Sequence, residues 1–257
     1  MSSNDGIKKT LIVAFSLCIV CSVVVSTAAV VLKPTQEANK TLDRKRNILA
    51  AAGMLEEGVS IDKQFEQVET RIVDLRTGKY SDAVDPKSYD QRKASKDPST
   101  SKTLSQDEDI AKIKRRADFA EVYLVNDEQG ELDKIILPVH GYGLWSTLYG
   151  FMALESDLNT VVGLGFAEHG ETPGLGGEVD NPSWKAKWPG KKVYKDGDVE
   201  LGLIKGTVDP SSANAEWQVD GLSGATLTSN GVSNLVQFWL GEQGYQPFIE
   251  NLKAGEA

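Results

Sequence analysis

Cysteine is nearly absent: the 257-residue chain has two, Cys18 and Cys21, and none beyond them. That excludes a disulfide framework and a four-ligand zinc site. Histidine is as scarce, with only His140 and His169, so no metal site is expected. Basic residues are outnumbered, 28 Lys and Arg against 37 Asp and Glu, for a net charge of -9. With no cationic surplus to neutralise a phosphate backbone, no nucleic-acid partner is expected. Nucleotide and hydrolase signatures are missing too. No G-x-G-x-x-G opens a helix after a strand, no G-x-x-x-x-G-K-[ST] is present, and Gly221-Leu222-Ser223-Gly224 has the wrong spacing for a nucleophile elbow.

What is present begins with Leu11 to Leu32, 22 residues without a charge. As a helix this run is roughly 33 Å long at about 1.5 Å per residue, enough to cross a hydrocarbon core of about 30 Å. Residues 1–10 are polar, and Lys33-Pro34 follows. The run is long for a signal-peptide core of about 7–15 residues, although Ser26-Thr27-Ala28 has the small residues of a cleavage site. A retained transmembrane anchor over 11–32 is therefore expected, rather than a buried core helix or a cleaved leader. Cys18 and Cys21 share one helix face, as apolar fillers or toward a partner. Lys8 and Lys9 flank one side, and Lys33, Lys40, Arg44, Lys45 and Arg46 the other. By count this favours a cytoplasmic C-terminal side, yet large domains cross despite such charges.

Residues 33–257 carry 26 basic and 36 acidic residues and can build a core of their own. A helix is expected over about 34–52, stopped by Gly53. Residues 85–103, rich in Lys, Asp, Ser and Pro, read as a surface loop. Ser105 and Glu108 form a capping-box pattern, with Lys112, Lys114, Arg115 and Arg116 closing the helix expected to follow. Strands are expected over 120–125 and 134–139, joined by the turn signal 126–130, and over 144–154 and 160–166. Short polar turns between consecutive strands imply a mainly antiparallel sheet with flanking helices, an α+β class. Val232, Leu235, Val236, Trp239 and Leu240 mark a last helix, ended by Gly241. The division is a short N-terminus (1–10), the transmembrane helix (11–32), a helical and loop-rich membrane-proximal region (33–118), and a soluble domain (119–257).

Three clusters hold the chemistry. In the first, Gly141-Tyr142-Gly143-Leu144-Trp145, Tyr142 and Trp145 either stack on an aromatic ligand or fill the core. The second, Glu168 to Gly177, is glycine-rich: Gly174, Gly176 and Gly177 allow close backbone approach to a flat ligand, while Glu171 and Thr172 offer polar contacts. It reads equally as a tight turn with a hydrogen-bonded His169. In the third, Asp220 to Ser229, four hydroxyls crowd a helix start. Hydroxyl capping accounts for one of them. Open N–H groups and a helix dipole suit a phosphate-bearing ligand as well. A serine hydrolase at Ser223 has no His or Asp partner in the sequence.

Asp220-x-x-Ser223-Gly224-Ala225-Thr226 resembles the flavinylation motif of membrane-anchored FMN proteins, in which a flavin transferase joins FMN to the Thr by a phosphoester. Glu171-Thr172-Pro173-Gly174-Leu175-Gly176 resembles that family's second motif, and the stretch around Tyr142 a third. With the single anchor, the chain is similar to the C subunit of the Na+-translocating NADH:quinone oxidoreductase, a covalent-FMN family shared with the G subunit of the Rnf complex. The resemblance is dense over about 110–257. It implies an FMN-binding domain at 119–257, covalent FMN on Thr226, and a cofactor shell of Tyr142, Leu144, Trp145, Glu171, Thr172, Gly174, Leu175, Gly176, Asp220, Ser223, Gly224, Ala225, Leu227 and Thr228. Ser223 and Thr228 would donate to the phosphodiester, and a helix starting near Ser229 would stabilise its charge. The flavin would carry the redox chemistry, so no catalytic side chain is named. The resemblance further implies a single-pass protein of the bacterial inner membrane with its C-terminal domain in the periplasm. Its partners would be subunits A, B, D, E and F, the flavin transferase and the membrane. Its role would be to relay electrons from a membrane iron–sulfur centre to the next flavin in a Na+-pumping NADH:ubiquinone reductase. The alternatives are a G-type Rnf protein and a non-redox membrane-anchored binding protein.

Overall fold

The structure is a computed structural model that describes residues 6–257. The first five residues of the expected N-terminal segment, 1–10, lie outside the described residues. Two compact units are present, divided between Asp43 and Arg44.

Helix α1 spans Ile7–Ala51. At about 1.5 Å per residue its 45 residues extend roughly 67 Å. It is the one helix among the described residues that is long and apolar enough to cross a membrane, with a mean hydropathy of 2.5 over its most apolar window. Its side chains up to residue 44 are exposed, and over the uncharged run 11–32 that exposure suits lipid. The sequence suggests two helices meeting at Lys33-Pro34. Instead α1 continues through Pro34, giving up one backbone hydrogen bond because proline has no N–H. Gly53, at φ 65°, ends it, with the Met54 N–H closing back on the Leu49 carbonyl at 2.8 Å.

The second unit is built on one six-stranded antiparallel sheet. After α2 (Ile61–Phe65) come β1 (Val68–Asp74) and β2 (Lys79–Tyr80). Next are α3 (Gln91–Ala94), β3 (Ser101–Thr103) and β4 (Arg115–Ala117). The long strands follow: β5 (Phe119–Asn126), β6 (Leu132–Tyr142), β7 (Thr147–Glu155) and β8 (Val161–Glu168). The sheet order is β2-β1-β5-β6-β7-β8, all pairs antiparallel. Then come α4 (Pro182–Lys185), β9 (Tyr194–Lys195), β10 (Asp198–Val199), β11 (Gly202–Ile204) and β12 (Gln218–Asp220). The chain ends with α5 (Thr226–Leu240) and α6 (Gln246–Ala254).

Three expectations fail here, the first being the surface loop over 85–103, which contains α3 and β3. β1 lies in the region read as helical and loop-rich, yet it pairs with β5 over seven residues. The chain after Ser105 forms no helix. The capping bonds do form, from Ser105 N–H to Glu108 (2.9 Å) and from Glu108 N–H to Ser105 Oγ (3.4 Å). But Asp109 then accepts the N–H groups of Ile113 (2.7 Å) and Lys114 (2.8 Å). Lys112 and Lys114 take positive φ, and the chain turns into β4.

Strands β5 to β7 read as near-continuous apolar runs because both sheet faces are covered. Period-2 alternation splits each strand between two cores. Leu124, Ile135, Leu137, Met152 and Leu154 join the larger one with Val232, Leu235, Val236 and Trp239 of α5. Tyr123, Val125, Ile136, Phe151 and Ala153 face the other way, onto Ile48, Leu49, Ala51 and Ala52 at the end of α1. Gly163 of β8 permits that contact, since a Cβ there would lie 2.6 Å from the Ala51 carbonyl oxygen. Arg44 meets the buried Glu121 carboxylate and the Tyr123 hydroxyl (2.7 Å), and Lys45 pairs with Asp62 at 2.6 Å. Two of the basic residues counted as membrane flanks are thus bound within the domain.

Candidate functional site

The helix predicted by the spacing of Val232 to Leu240 is α5, and its apolar stripe is buried. It starts at Thr226, three residues earlier than the hydroxyl cluster suggests. The residue at its N-cap is Ala225, which supplies no side-chain hydrogen bond. The capping reading of the hydroxyls is therefore overturned. Ser229 instead accepts the Leu222 N–H at 2.9 Å and ties the loop back on itself. Ser223 and Gly224 are exposed, and Gly224 holds φ 71°, a conformation that glycine adopts without strain. Thr226 is exposed on the first turn. An uncapped helix start presents N–H groups and the positive end of the dipole to an anion.

Two other segments meet this helix start, and one buried carboxylate joins all three. Glu171 is 5% exposed. Its Oε1 accepts the N–H groups of Leu144 (3.1 Å), Trp145 (3.0 Å) and Ser146 (3.2 Å). Its Oε2 accepts the hydroxyl of Thr228 at 2.7 Å. Burial pushes the Glu171 carboxyl up, but the hydrogen bonds from Thr228 and the three amides outweigh it and hold it below the usual glutamate range.

Glycines let the segments close around that carboxylate. A Cβ at Gly143 would lie 2.6 Å from Glu171 Oε1, and one at Gly176 would lie 2.5 Å from Thr228 Oγ1. A Cβ at Gly231 of α5 would lie just as close to the Tyr142 carbonyl oxygen, at 2.5 Å. Gly174, in contrast, faces open space at φ 77°, and its role is the turn itself. Thr172, exposed, carries that turn by accepting the N–H groups of Leu175 (3.1 Å) and Gly177 (2.9 Å) on its carbonyl.

The sequence leaves Tyr142 and Trp145 between ligand stacking and core filling. Both are exposed, Trp145 at 66%, so neither fills the core. Leu144, Leu175 and Leu227 are exposed as well, Leu227 at 59%. Of the eight large apolar residues exposed beyond Asp43 in the described chain, these three segments hold five. Leu175 lies against Gly224, 3.1 Å from where its Cβ would be.

Two expected ligand contacts are used otherwise. Thr228 is fully buried with its hydroxyl on Glu171, so it is not offered to a phosphate at the surface. The Asp220 carboxylate binds Lys187 and accepts the Val208 N–H at 2.8 Å, while its carbonyl accepts the Trp184 indole N–H at 2.9 Å. Asp220 shapes the turn that leads into the loop. His169 is hydrogen-bonded through both ring nitrogens. Its Nδ1 accepts the Glu171 N–H (3.2 Å), which leaves Nε2 to donate to Asp180 (2.8 Å). The sequence reading passes over Gly231 and Ser146, whose hydroxyl accepts the Gly170 N–H at 2.6 Å. For Gly231 a signal exists, since glycine inside a helix costs about 1 kcal/mol and points to a packing reason.

Comparisons with known proteins place the chain in a family. An FMN-binding domain family matches residues 143–241, the span that holds most of the three segments. The C subunit of the Na(+)-translocating NADH-quinone reductase from Pseudomonas aeruginosa is 56% identical, with all of both chains covered. The chain belongs to this C-subunit family. The Vibrio alginolyticus member is 50% identical over 99% of this chain and 98% of its own. Among solved structures, that of Shewanella oneidensis NqrC covers 84% of this chain and 99% of its own, with a TM-score of 0.78 and 39% identity. The Parabacteroides distasonis member covers 85% and 96%, with a TM-score of 0.65 and 28% identity. The chain is thus a component of an oxidoreductase complex with an FMN-binding domain. The site's residues fit that cofactor: an open helix start with an exposed hydroxyl for the phosphate end, and exposed aromatic and aliphatic side chains for a flat ring.

Proposed function

We propose that Thr226 carries FMN through a phosphoester on its Oγ, and that the chain relays electrons within a Na+-pumping NADH:ubiquinone reductase. The observation that carries this reading is the exposed Thr226 hydroxyl on an uncapped helix start, beside five exposed apolar side chains. A modifying enzyme must reach that hydroxyl, and a solvent-facing first turn allows it. The N–H groups of the turn and the Ser223 hydroxyl stabilise a phosphodiester anion. Tyr142, Leu144, Trp145, Leu175 and Leu227 orient a planar ring and shield it from water. FMN, when bound, supplies the redox chemistry, and the protein's part is orientation and tuning.

The chain works with subunits A, B, D, E and F, accepts electrons from a membrane iron–sulfur centre and passes them to a flavin in a neighbouring protein of the complex. A flavin transferase modifies it. α1 anchors it in the bacterial inner membrane with residues 44–257 in the periplasm. The engagement of Arg44 and Lys45 inside the domain narrows the opposing charge count, from five flanking basic residues to three against Lys8 and Lys9. The G-type Rnf reading gains less support, because the two curated relatives reported above both bear the C-subunit name over nearly their whole length.

Intact mass tests the attachment. The full chain produced with its flavin transferase is expected to gain FMN less one water, and Thr226→Ala is expected to gain nothing. A wild-type chain of unmodified mass, or a modified Thr226→Ala chain, overturns the reading.

A further inference from the structure

We propose that Glu171 is a positioning residue for the modification of Thr226: its buried carboxylate locks the 144–146 loop to the first turn of α5 through Thr228. This rests on the reading of Thr226 as the flavin attachment point. In that modification the Thr226 oxygen bonds to the phosphorus of an activated flavin phosphate. The bond from that phosphorus to the donor's leaving group breaks with its electron pair, and the proton of the Thr226 hydroxyl ends on that leaving group.

Thr226 and Thr228 are two residues apart on a helix, about 200° around its axis. Fixing Thr228 inward therefore fixes Thr226 outward, as their full burial and exposure record. The carboxylate has no capacity left for a ligand. Three backbone N–H groups and one hydroxyl occupy it, and Gly143 and Gly176 pack against its two oxygens. The same amides belong to Leu144 and Trp145, whose side chains form the exposed apolar surface. One group thus sets the hydroxyl that is modified and the surface on which a ring would rest. A buried carboxylate pairing charge-assisted bonds to three amides is a stiff joint, because releasing any partner leaves a charge underserved.

The experiment is a double-mutant cycle on the full chain produced with its transferase. It compares Glu171→Ala, Thr228→Val and the pair, with Thr228→Ser as the conservative variant. Intact mass over a time course gives the rate of flavin attachment, visible circular dichroism the environment of the attached flavin, and near-ultraviolet dichroism the fold. Each single variant is expected to slow attachment on the order of tenfold or more and to change the flavin's dichroism. The double variant should be no slower than the worse single, and Thr228→Ser should restore the wild-type rate. Where Glu171→Ala loses its near-ultraviolet signal, Glu171→Gln takes its place in the cycle, and the Thr228 pair reads the same joint. Single variants modified at the wild-type rate with the wild-type dichroism overturn the proposal. So do losses that add in the double variant, since Thr228 would then act without Glu171. A wild-type chain that gains no flavin instead overturns the attachment itself, which separates the two failures.

Discussion

Two parts of this chain expose large apolar side chains, and they do so in opposite ways. Along α1 the run from Leu11 to Leu32 is contiguous, and its exposure follows from composition alone. Around Thr226 the exposed residues come from separate segments: Tyr142 at the end of β6 with Leu144 and Trp145 after it, Leu175 in a turn, and Leu227 on α5. They become neighbours only because Glu171 and the close-packed glycines hold three segments together. An exposed apolar run needs hydrocarbon to cover it. An exposed apolar cluster beside an open helix start and an exposed hydroxyl needs a ligand that is flat at one end and anionic at the other. In the proposed function, the same physical signal, apolar surface in water, is covered by a membrane in one place and by a cofactor in the other, and the polar groups beside it make the difference.

The largest effect expected from this contrast is on location. Removing residues 1–35 should move the protein wholly from the membrane to the soluble fraction, with the near-ultraviolet dichroism of the domain kept. Retention of the shortened chain by washed membranes would mean that the domain itself binds the membrane or its partners. In spheroplasts of the intact strain, added protease should cut the domain before lysis, and protection until lysis would contradict its periplasmic placement.

Acid separates the two regions next. The run 11–32 has no carboxylate, imidazole or basic group, so its membrane retention should not change between pH 7 and 4. The domain contains His140, stacked on Tyr149 (5.4 Å) and tilted against Trp239 (4.8 Å). Burial, and secondarily the charge of Arg92, push its imidazole from 6.5 down to about 4. Between those values the unfolded chain binds a proton that the folded one does not, so stability falls as pH falls through this window. The loss is at most about 3 kcal/mol. Urea midpoints of the soluble domain should show it, and His140→Gln should flatten the slope; an unchanged slope in the variant would assign the loss to other groups.

The smallest effect is expected at the cluster itself. Trp145 is two-thirds exposed, so Trp145→Ser should change the stability of the unmodified domain by less than about 0.5 kcal/mol. On the modified protein it should alter the flavin's visible dichroism and ease quenching by iodide. A large loss of stability with no change at the flavin would place Trp145 in the fold rather than the site.

Much of this is legible in the sequence where the signal is local. The four long strands, their turns, the stripe of α5 and the stop at Gly53 depend on neighbours a few residues apart. The motif residues name the three segments of the site. What is not legible depends on distant partners. Val68–Asp74 is rich in β-branched residues, but the partner that makes it a strand is β5, about fifty residues on. Ser105 and Glu108 do form a capping box, yet Asp109 captures the next amides and ends the helix before it starts. Thr228 reads as a phosphate donor because its hydroxyl stands near Thr226 in sequence, and only the fold sends it to Glu171. Asp220 likewise stands in the motif by sequence, and only the fold brings its carboxylate to Lys187 and the Val208 N–H.

In the proposed attachment the hydroxyl oxygen of the exposed Thr226, and no other in its loop, bears the flavin. Fragmentation mass spectrometry of the peptide spanning residues 220–240, taken from the full chain in its own membranes, reads that atom's state. The expected result is a mass increment of FMN less one water on Thr226, with Ser223, Thr228 and Ser229 unmodified. An increment on Ser223, or an unmodified peptide, would contradict it.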